Sequence, residues 1–286
     1  MTNSHPDKNT LKKINHIITD IDGTLLDDNG NLGAESIKLF KNLMDLNVKI
    51  SLATGRLHSA VTELAKQISL NGYIVSLDGA LIKNLADDKI IYESYLKKSH
   101  VKKAIALCEE YLVNIVLCHS SAIYYTENNS VIPSLLSKYG ASYTNVESYS
   151  DYVLGTLEIV CSSDMKNSIK EIEERFTFPY SFGCNTSYFR SKKNENIFYL
   201  EIRKAGSSKG KAVNRIIRDL AAKPAQTAVI GDWYNDLTMF DTSAFKVAVA
   251  NAIPELINKA DFVTSRSNNE DGVAEFLEIV LKSKRN

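Results

Sequence analysis

Cysteine is scarce in this chain. Its 286 residues hold four, Cys108, Cys118, Cys161 and Cys184. None forms a C-x-x-C pair and no histidine joins them at zinc-site spacing, which excludes the common structural zinc motifs. Each lies in or beside an apolar run, as expected of buried free thiols in a reducing cytoplasm; a structural disulfide is the alternative reading. Net charge is also missing, because Lys plus Arg and Asp plus Glu each total 34. That excludes a nucleic-acid partner held by bulk charge but leaves room for a local basic pocket. No apolar run approaches the ~20 residues of a membrane span. Residues 1–13 are polar, lack the apolar centre of a signal peptide, and are expected to form a loose tail. No G-x-G-x-x-G follows the first apolar run, which argues against a dinucleotide-binding dehydrogenase. Internal repeats and low-complexity tracts are absent.

What is present falls into two grammars. From residue 14 the chain reads strand, helix, strand, helix, strand: "INHIIT", "AESIKLFKNLMDL", "VKISLAT", "SAVTELAKQI" and "YIVSL". The first helix is expected to bury Ile37, Phe40, Leu43 and Met44 on one face. From about residue 203 the grammar returns. The helix "KGKAVNRIIRDL" presents Val213, Ile216, Ile217 and Leu220; the strands "TAVIGD", "KVAVAN" and "DFVTS" and the helix "GVAEFLEIVLK" follow. These strands are short and continuously apolar, as strands covered on both faces are. The alternation predicts a parallel sheet with right-handed crossovers.

Residues 84–202 differ, being rich in Tyr, Ser and Asn. Their strand candidates are "IIYESYL", "NIVLCH", "AIYYTE", "TLEIVCS", "YSFGC" and "IFYLEIR", and their helices Val101 to Leu112 and Met165 to Phe176. Several of these strands alternate polar and apolar residues, so one sheet face is expected to be open to solvent. The fold class is therefore α/β: a Rossmann-like parallel-sheet core from 14–83 and 203–286, with an α+β domain inserted at 84–202.

Open parallel sheets bind ligands beyond the carboxyl ends of their strands. Four stations follow core strands or open core helices: Asp20-Ile21-Asp22-Gly23-Thr24, Thr54-Gly55-Arg56, "GSSKGK" with Lys209, and "GDWYND" with Asp232, Asn235 and Asp236. Taken singly, each reads as a turn, a helix cap or a solvated lysine. Taken together they bring four carboxylates to one crevice. At an effective dielectric near 20, two unit charges ~4 Å apart repel by roughly 4 kcal/mol. A hard divalent cation with oxygen ligands offsets this, and Mg²⁺ suits it. Asp232 and Asp236 are four residues apart, so one helical turn could aim both at the ion.

A carboxylate is also a nucleophile toward phosphorus. In this reading Asp20 attacks a phosphate monoester, and Asp22 gives and then takes the proton. Thr54, Lys209 and backbone N–H groups near Gly23 and Gly55 hold the phosphoryl oxygens. Arg190 and Lys192-Lys193 in the inserted region are candidates to meet an anionic substrate, whereas lone His58 and His119 are expected to be structural.

"DIDGTLL", "LATGR", "SSKGKAV" and "GDWYNDLTMF", in this order, resemble the four motifs of the haloacid dehalogenase superfamily. The long insertion and the tail "VAVANAIPELINKADFVTSRSNNEDGVAEFLE" resemble its Cof-type, sugar-phosphatase-like branch. The resemblance implies a Rossmann-like core with a mobile cap that supplies specificity. It implies Mg²⁺ held by Asp20, the backbone carbonyl of Asp22, and Asp232, with Asp236 helping directly or through water. It implies Thr54, Lys209 and Asn235 at the phosphate, and Arg56 near the substrate. Three positions depart from the pattern: Asp78 where Asn is usual, Ala250 where Gly precedes Asn251, and the bulky Trp233. The expectation is a Mg²⁺-dependent cytoplasmic phosphatase for a small sugar phosphate or nucleotide-like cofactor phosphate. It is expected to act as a monomer or weak homodimer with no nucleic-acid or membrane partner. A phosphomutase or phosphotransferase, or a sensor without turnover, shares these motifs.

Overall fold

A computed structural model describes residues 6–130, 142–191 and 196–285. The chain forms two compact units. One comprises the described residues of Met1–Gly55, Thr62–Ile91 and Ser208–Asn286, the other those of Arg56–Val61 and Tyr92–Ser207.

The first unit is built on an eight-stranded sheet. In chain order its first strands are β1 (His16–Thr19), β2 (Lys49–Ala53), β3 (Tyr73–Ser76), β4 (Leu81–Asn84) and β5 (Ile90–Glu93). β1 and β3 are buried along their whole length, as strands covered on both faces are. The second unit contributes β6 (Asn114–Cys118), β7 (Ile123–Tyr125), β8 (Tyr143–Asn145), β9 (Glu158–Ser163), β10 (Cys184–Arg190) and β11 (Phe198–Lys204). The chain then returns to the first sheet with β12 (Thr227–Gly231), β13 (Phe245–Ala248) and β14 (Phe262–Val263).

The first sheet runs β14-β13-β12-β1-β2-β3-β4-β5. It is parallel from β14 to β3, and β4 turns back antiparallel on β3. The chain goes from β1 outward through β2 and β3, then returns on the other side of β1 as β12. The strand order reverses between β1 and β12, where Thr19 lies beside Ile230. Such a reversal opens a crevice at the carboxyl ends of the two strands. Helix Ala34–Met44 lies against the final helix Gly272–Arg285. It buries Ser36, Leu39, Phe40 and Leu43, while Ile37 is exposed. The buried stripe is thus rotated from the expected one, because Leu39 rather than Ile37 completes the apolar face.

The second unit has a six-stranded sheet, β10-β11-β9-β6-β7-β8. Helices Lys98–Glu110 and Lys166–Phe176 cover one face, packing Val101, Ala104, Ile169 and Phe176 with Ile115, Ile159, Leu200 and Ile202. The central strands do not offer the solvent-open face their alternation suggested. Glu158 and Glu201 are buried, and both are ion-paired to Arg203, at 2.5 and 2.6 Å. The register explains it, since Arg203 of β11 sits directly opposite Glu158 of β9. A guanidinium between two carboxylates lets a charged stripe be buried.

Other details differ from the sequence reading. The "IIYE" run extends the first sheet as its edge strand rather than joining the second. β4 and β8 carry too few apolar residues to stand out, and "YSFGC" reaches strand geometry only at Cys184. All four cysteines are free thiols; Cys108, Cys118 and Cys161 are buried, and the Cys108 and Cys161 sulfurs lie 3.5 Å apart. Among the described residues no helix is long and apolar enough to cross a membrane.

Candidate active site

Asp20 is the first residue past β1, and its N–H donates to the carbonyl of Ile230 (2.9 Å). Sheet pairing thus carries one residue beyond the strand and fixes where the Asp20 carboxylate begins. Asp232 stands one residue past β12, on the adjacent strand. Gly23 turns the chain away at φ +82°, and a Cβ there would come within 2.5 Å of the Asp232 carboxylate. Only glycine combines that backbone with that approach.

Lys209 opens helix Lys209–Asp219, behind the Ser208 N-cap. The sequence allowed a solvated lysine. The structure instead buries it completely, its ammonium donating to Asp20 Oδ1 (2.6 Å) and Asp236 Oδ1 (2.7 Å). Helix and loop meet closely because Gly210 has no side chain: its N–H donates to Thr238 Oγ1 (3.0 Å), and a Cβ would collide with the Thr238 carbonyl.

Asp20, Asp232 and Asp236 form one buried group, with a carboxylate oxygen of each within 4.8 Å of the others. Asp232 accepts from the Thr24 hydroxyl (2.5 Å). Asp236 Oδ2 accepts from the N–H groups of Asp232 (3.0 Å) and Trp233 (3.2 Å). Asp236 therefore shapes its own loop and anchors Lys209, besides adding charge. The side chain of Asp22 is exposed and lies outside the group.

Burial and the neighbouring Asp236 carboxylate push the Asp20 acid well above the usual carboxylate range, although Lys209 opposes them. Burial pushes Asp232 up to about 6, with the Thr24 hydroxyl pulling the other way. Burial alone would lower the Lys209 ammonium, but Asp20, Asp236 and Asp78 together raise it above the ordinary lysine value. The firm direction is that Lys209 stays charged and the carboxylates around it are short of positive charge.

Thr54 is buried past β2, its N–H donating to Val75 and its carbonyl accepting from Asp78, at 2.9 and 3.0 Å. Gly55 lies against the Asp78 side chain. Asn235 is exposed, and its amide donates to Asp78 Oδ1 (3.0 Å). Arg56 and Arg190 belong to the second unit. Arg56 is half-buried; Arg190 is exposed on β10, with its guanidinium 5.9 Å from the centre of the Phe198 ring. Lys192 and Lys193 lie outside the described residues. Trp233 is exposed and edge-on to Tyr234. The Ala250 N–H donates to Thr264 Oγ1 (3.1 Å). His119 meets the Tyr152 carbonyl (2.8 Å) and packs edge-on to Tyr124.

Three residues outside the expected catalytic, phosphate-binding and metal set also contribute. Thr24 steadies Asp232. Asn251 ties the first loop to the last, donating to the Gly23 carbonyl (2.7 Å) and accepting from the Asn268 N–H (2.8 Å). Asp78 stands in a run of left-handed residues, Leu77 at φ 49°, Asp78 at φ 49° and Gly79 at φ 97°. Such conformations cost about 1–3 kcal/mol each for non-glycine residues. The signal for Thr24 was in plain view, a hydroxyl directly after the turn glycine. Asn251 and Asp78 stood out only against the family pattern, because composition and periodicity carry no signal for a loop-to-loop tie.

Known proteins share this architecture. The chain resembles a haloacid dehalogenase-like hydrolase structure from Bacteroides thetaiotaomicron with a TM-score of 0.83 at 22% identity, covering 93% of this chain and 98% of that one. It is 28% identical over 279 residues to YxeH of Bacillus subtilis, covering 93% of this chain and 98% of that protein. It is 25% identical over 303 residues to the 5-amino-6-(5-phospho-D-ribitylamino)uracil phosphatase YwtE of Bacillus subtilis, covering 94% and 98%. The sequence profile of the haloacid dehalogenase-like hydrolases matches residues 17–277. With nearly the whole chain inside that match, this protein belongs to the haloacid dehalogenase-like hydrolase family.

Proposed function

We propose that this hydrolase cleaves the phosphate monoester of a small metabolite, a sugar phosphate or nucleotide-like cofactor phosphate, through an aspartyl-phosphate on Asp20. The observation that carries this reading is the Asp20 carboxylate, held at the strand-order reversal beside a fully buried ammonium. A side-chain oxygen of Asp20 attacks phosphorus as the ester P–O bond breaks. The Asp22 carboxyl gives its proton to the departing alkoxide. Asp22 then takes a proton from water, which attacks the aspartyl-phosphate and frees inorganic phosphate and the Asp20 carboxylate. The exposure of Asp22 suits a group that must reach leaving group and water in turn. Lys209, Thr54, the Gly55 backbone and Asn235 are the proposed phosphate-holding groups.

The donors fit Mg²⁺. Asp20, Asp232 and Asp236 offer only oxygen and are buried together, and among the described residues the Lys209 ammonium is paired with two of them. Asp20 and Asp232 would hold the ion with the backbone carbonyl of Asp22, and Asp236 would help directly or through water. When bound, Mg²⁺ supplies charge that offsets the carboxylates and the phosphoryl oxygens. The inserted second unit is the proposed cap, with Arg56 and Arg190 as candidate substrate contacts. We place the enzyme in the cytoplasm as a monomer or weak homodimer. The name of YwtE, a phosphatase of a ribitylamino-linked ring, supports a polyol or sugar phosphate as substrate class.

The test is phosphate release from a panel of phosphorylated metabolites and an aryl phosphate, with Mg²⁺ or EDTA, for the wild type and Asp20→Asn. Metal-dependent release lost in the variant is expected. Transfer of the phosphoryl group to a second sugar hydroxyl, without free phosphate, would replace the phosphatase with a mutase.

A further inference from the structure

Cys184 departs from the other three cysteines. They are buried, whereas it is only half-buried. Its sulfur lies 3.0 Å from His100 Nδ1, within hydrogen-bond reach, and either atom can hold the shared proton. Separate elements fix the two groups. Cys184 opens β10 in register with Lys204 of β11, while His100 stands in the first turn of helix Lys98–Glu110, its ring edge-on to Phe176. Positive charge gathers around the pair. Lys97 and Lys103 act on both the thiol and the imidazole. Lys204 lies directly across the strand pair, where facing side chains share one side of the sheet. The first turn of the helix holds no acidic residue. Lys103 donates to the Arg175 and Tyr180 carbonyls, at 2.7 and 3.3 Å, which fix its position without neutralising it. Burial pushes the thiol up and the imidazole down, so the resting pair is neutral. Ser181, Lys103 and Lys97 pull the thiol the other way. A neutral imidazole beside a thiol is a base that takes the proton as the sulfur attacks, and neighbouring cations then favour the thiolate.

We propose that Cys184 is a site of reversible S-thiolation by small disulfides that carry negative charge, with His100 as its base. The Cys184 sulfur attacks one sulfur of the disulfide while its proton passes to His100 Nδ1. A new S–S bond forms to Cys184, the disulfide's own S–S bond breaks, and the departing thiolate takes the proton from His100. One disulfide is exchanged for another, so no further oxidant is consumed. Acidic groups on the incoming disulfide meet the charges of Lys97, Lys103 and Lys204. This chemistry lies wholly within the second unit and is independent of the phosphatase reading.

The test treats the full chain, reduced and then freed of reductant, with oxidised glutathione, and reads adducts by intact mass and peptide mapping. One glutathionyl group is expected, on Cys184 and released by dithiothreitol, with buried Cys108, Cys118 and Cys161 unmodified. The initial rate is then compared across disulfides of different charge, each divided by its rate with free 2-mercaptoethanol. Oxidised glutathione is expected to react about tenfold faster than cystamine, with hydroxyethyl disulfide between them, and the spread to narrow as salt is raised. His100→Gln keeps a polar side chain that cannot take the proton, and is expected to slow the reaction about tenfold or more. Circular dichroism confirms that this variant is folded; the charge series in the wild type needs no variant and decides alone if it is not. No adduct, an adduct spread over several cysteines, a rate indifferent to disulfide charge, or a rate unchanged in folded His100→Gln overturns the proposal.

Discussion

Replacing Lys209 with methionine keeps the length of the side chain and removes its charge. Nζ lies 2.6 Å from Asp20 and 2.7 Å from Asp236, with no solvent exposure. The three carboxylates approach within 4.8 Å of one another. Two bare charges at that distance repel by about 3.5 kcal/mol at an effective dielectric of 20. Removing one partner of a buried pair generally costs about 3–5 kcal/mol. The variant should therefore lose about 3–5 kcal/mol in EDTA near pH 8. The pH dependence has a definite sign. Without the ammonium, Asp20 and Asp232 are pushed further above their unfolded values. The penalty is full above those raised values, shrinks as pH falls, and vanishes near the ordinary carboxylate range of about 3.9. Mg²⁺ at 100 times its dissociation constant should return about 2.7 kcal/mol. Urea unfolding at pH 8 and pH 5, with EDTA or Mg²⁺, reads all three quantities. A variant as stable as the wild type in EDTA at pH 8 would refute the charge-shortage argument, and so would a loss that neither acid nor Mg²⁺ relieves.

Thr24→Val removes the hydroxyl that supports Asp232, so the variant should lose about 1.5–3 kcal/mol and bind Mg²⁺ more weakly, which titration calorimetry measures. Gly210→Ala drives a methyl into the Thr238 carbonyl. It should cost about 1–3 kcal/mol by urea unfolding and lower phosphate release, because Lys209 must shift with the helix. His16 is buried beside Ser51 Oγ (2.7 Å), and burial, with Lys49 adding, lowers its pKa to about 3. The unfolded chain takes up that proton near pH 6.5, so the stabilisation is full above pH 6.5 and is lost as pH falls toward 3. Between pH 6.5 and 5 it amounts to about 2 kcal/mol. His16→Gln should flatten the urea midpoint over that range, and an unchanged slope would exclude His16 as its source.

The core of the first unit was legible because parallel strands announce themselves. A strand covered on both faces is mostly apolar, so the runs around "HIIT" and "TAVIG" needed no partner to be recognised. Three of the four stations were legible for a related reason: parallel strands end at one edge, so residues following them gather there, whereas Lys209 opens a helix. Elements whose partners lie elsewhere were less visible. Glu158, Glu201 and Arg203 look like the wet face of a sheet until the β9–β11 register sets a guanidinium between the carboxylates. Ile37 was placed inside because helical period fixes the width of an apolar stripe but not its phase when Leu39 competes for it.

Lys209 and Asp236 show where such reading stops inside the site itself. A spacing of four said that Asp232 and Asp236 share a direction, and they do share one group. It could not say that Asp236 would give one oxygen to two N–H groups of its own loop and the other to a lysine 27 positions earlier. Those bonds make Asp236 the joint between the last loop and the Lys209 helix. Gly210 lets that joint close, and Lys209 carries it on to Asp20. The position of the Asp20 carboxylate is thus tied to the last loop by a buried charge chain, Asp20 to Lys209 to Asp236. A substitution at any link should displace the other two before it changes the fold.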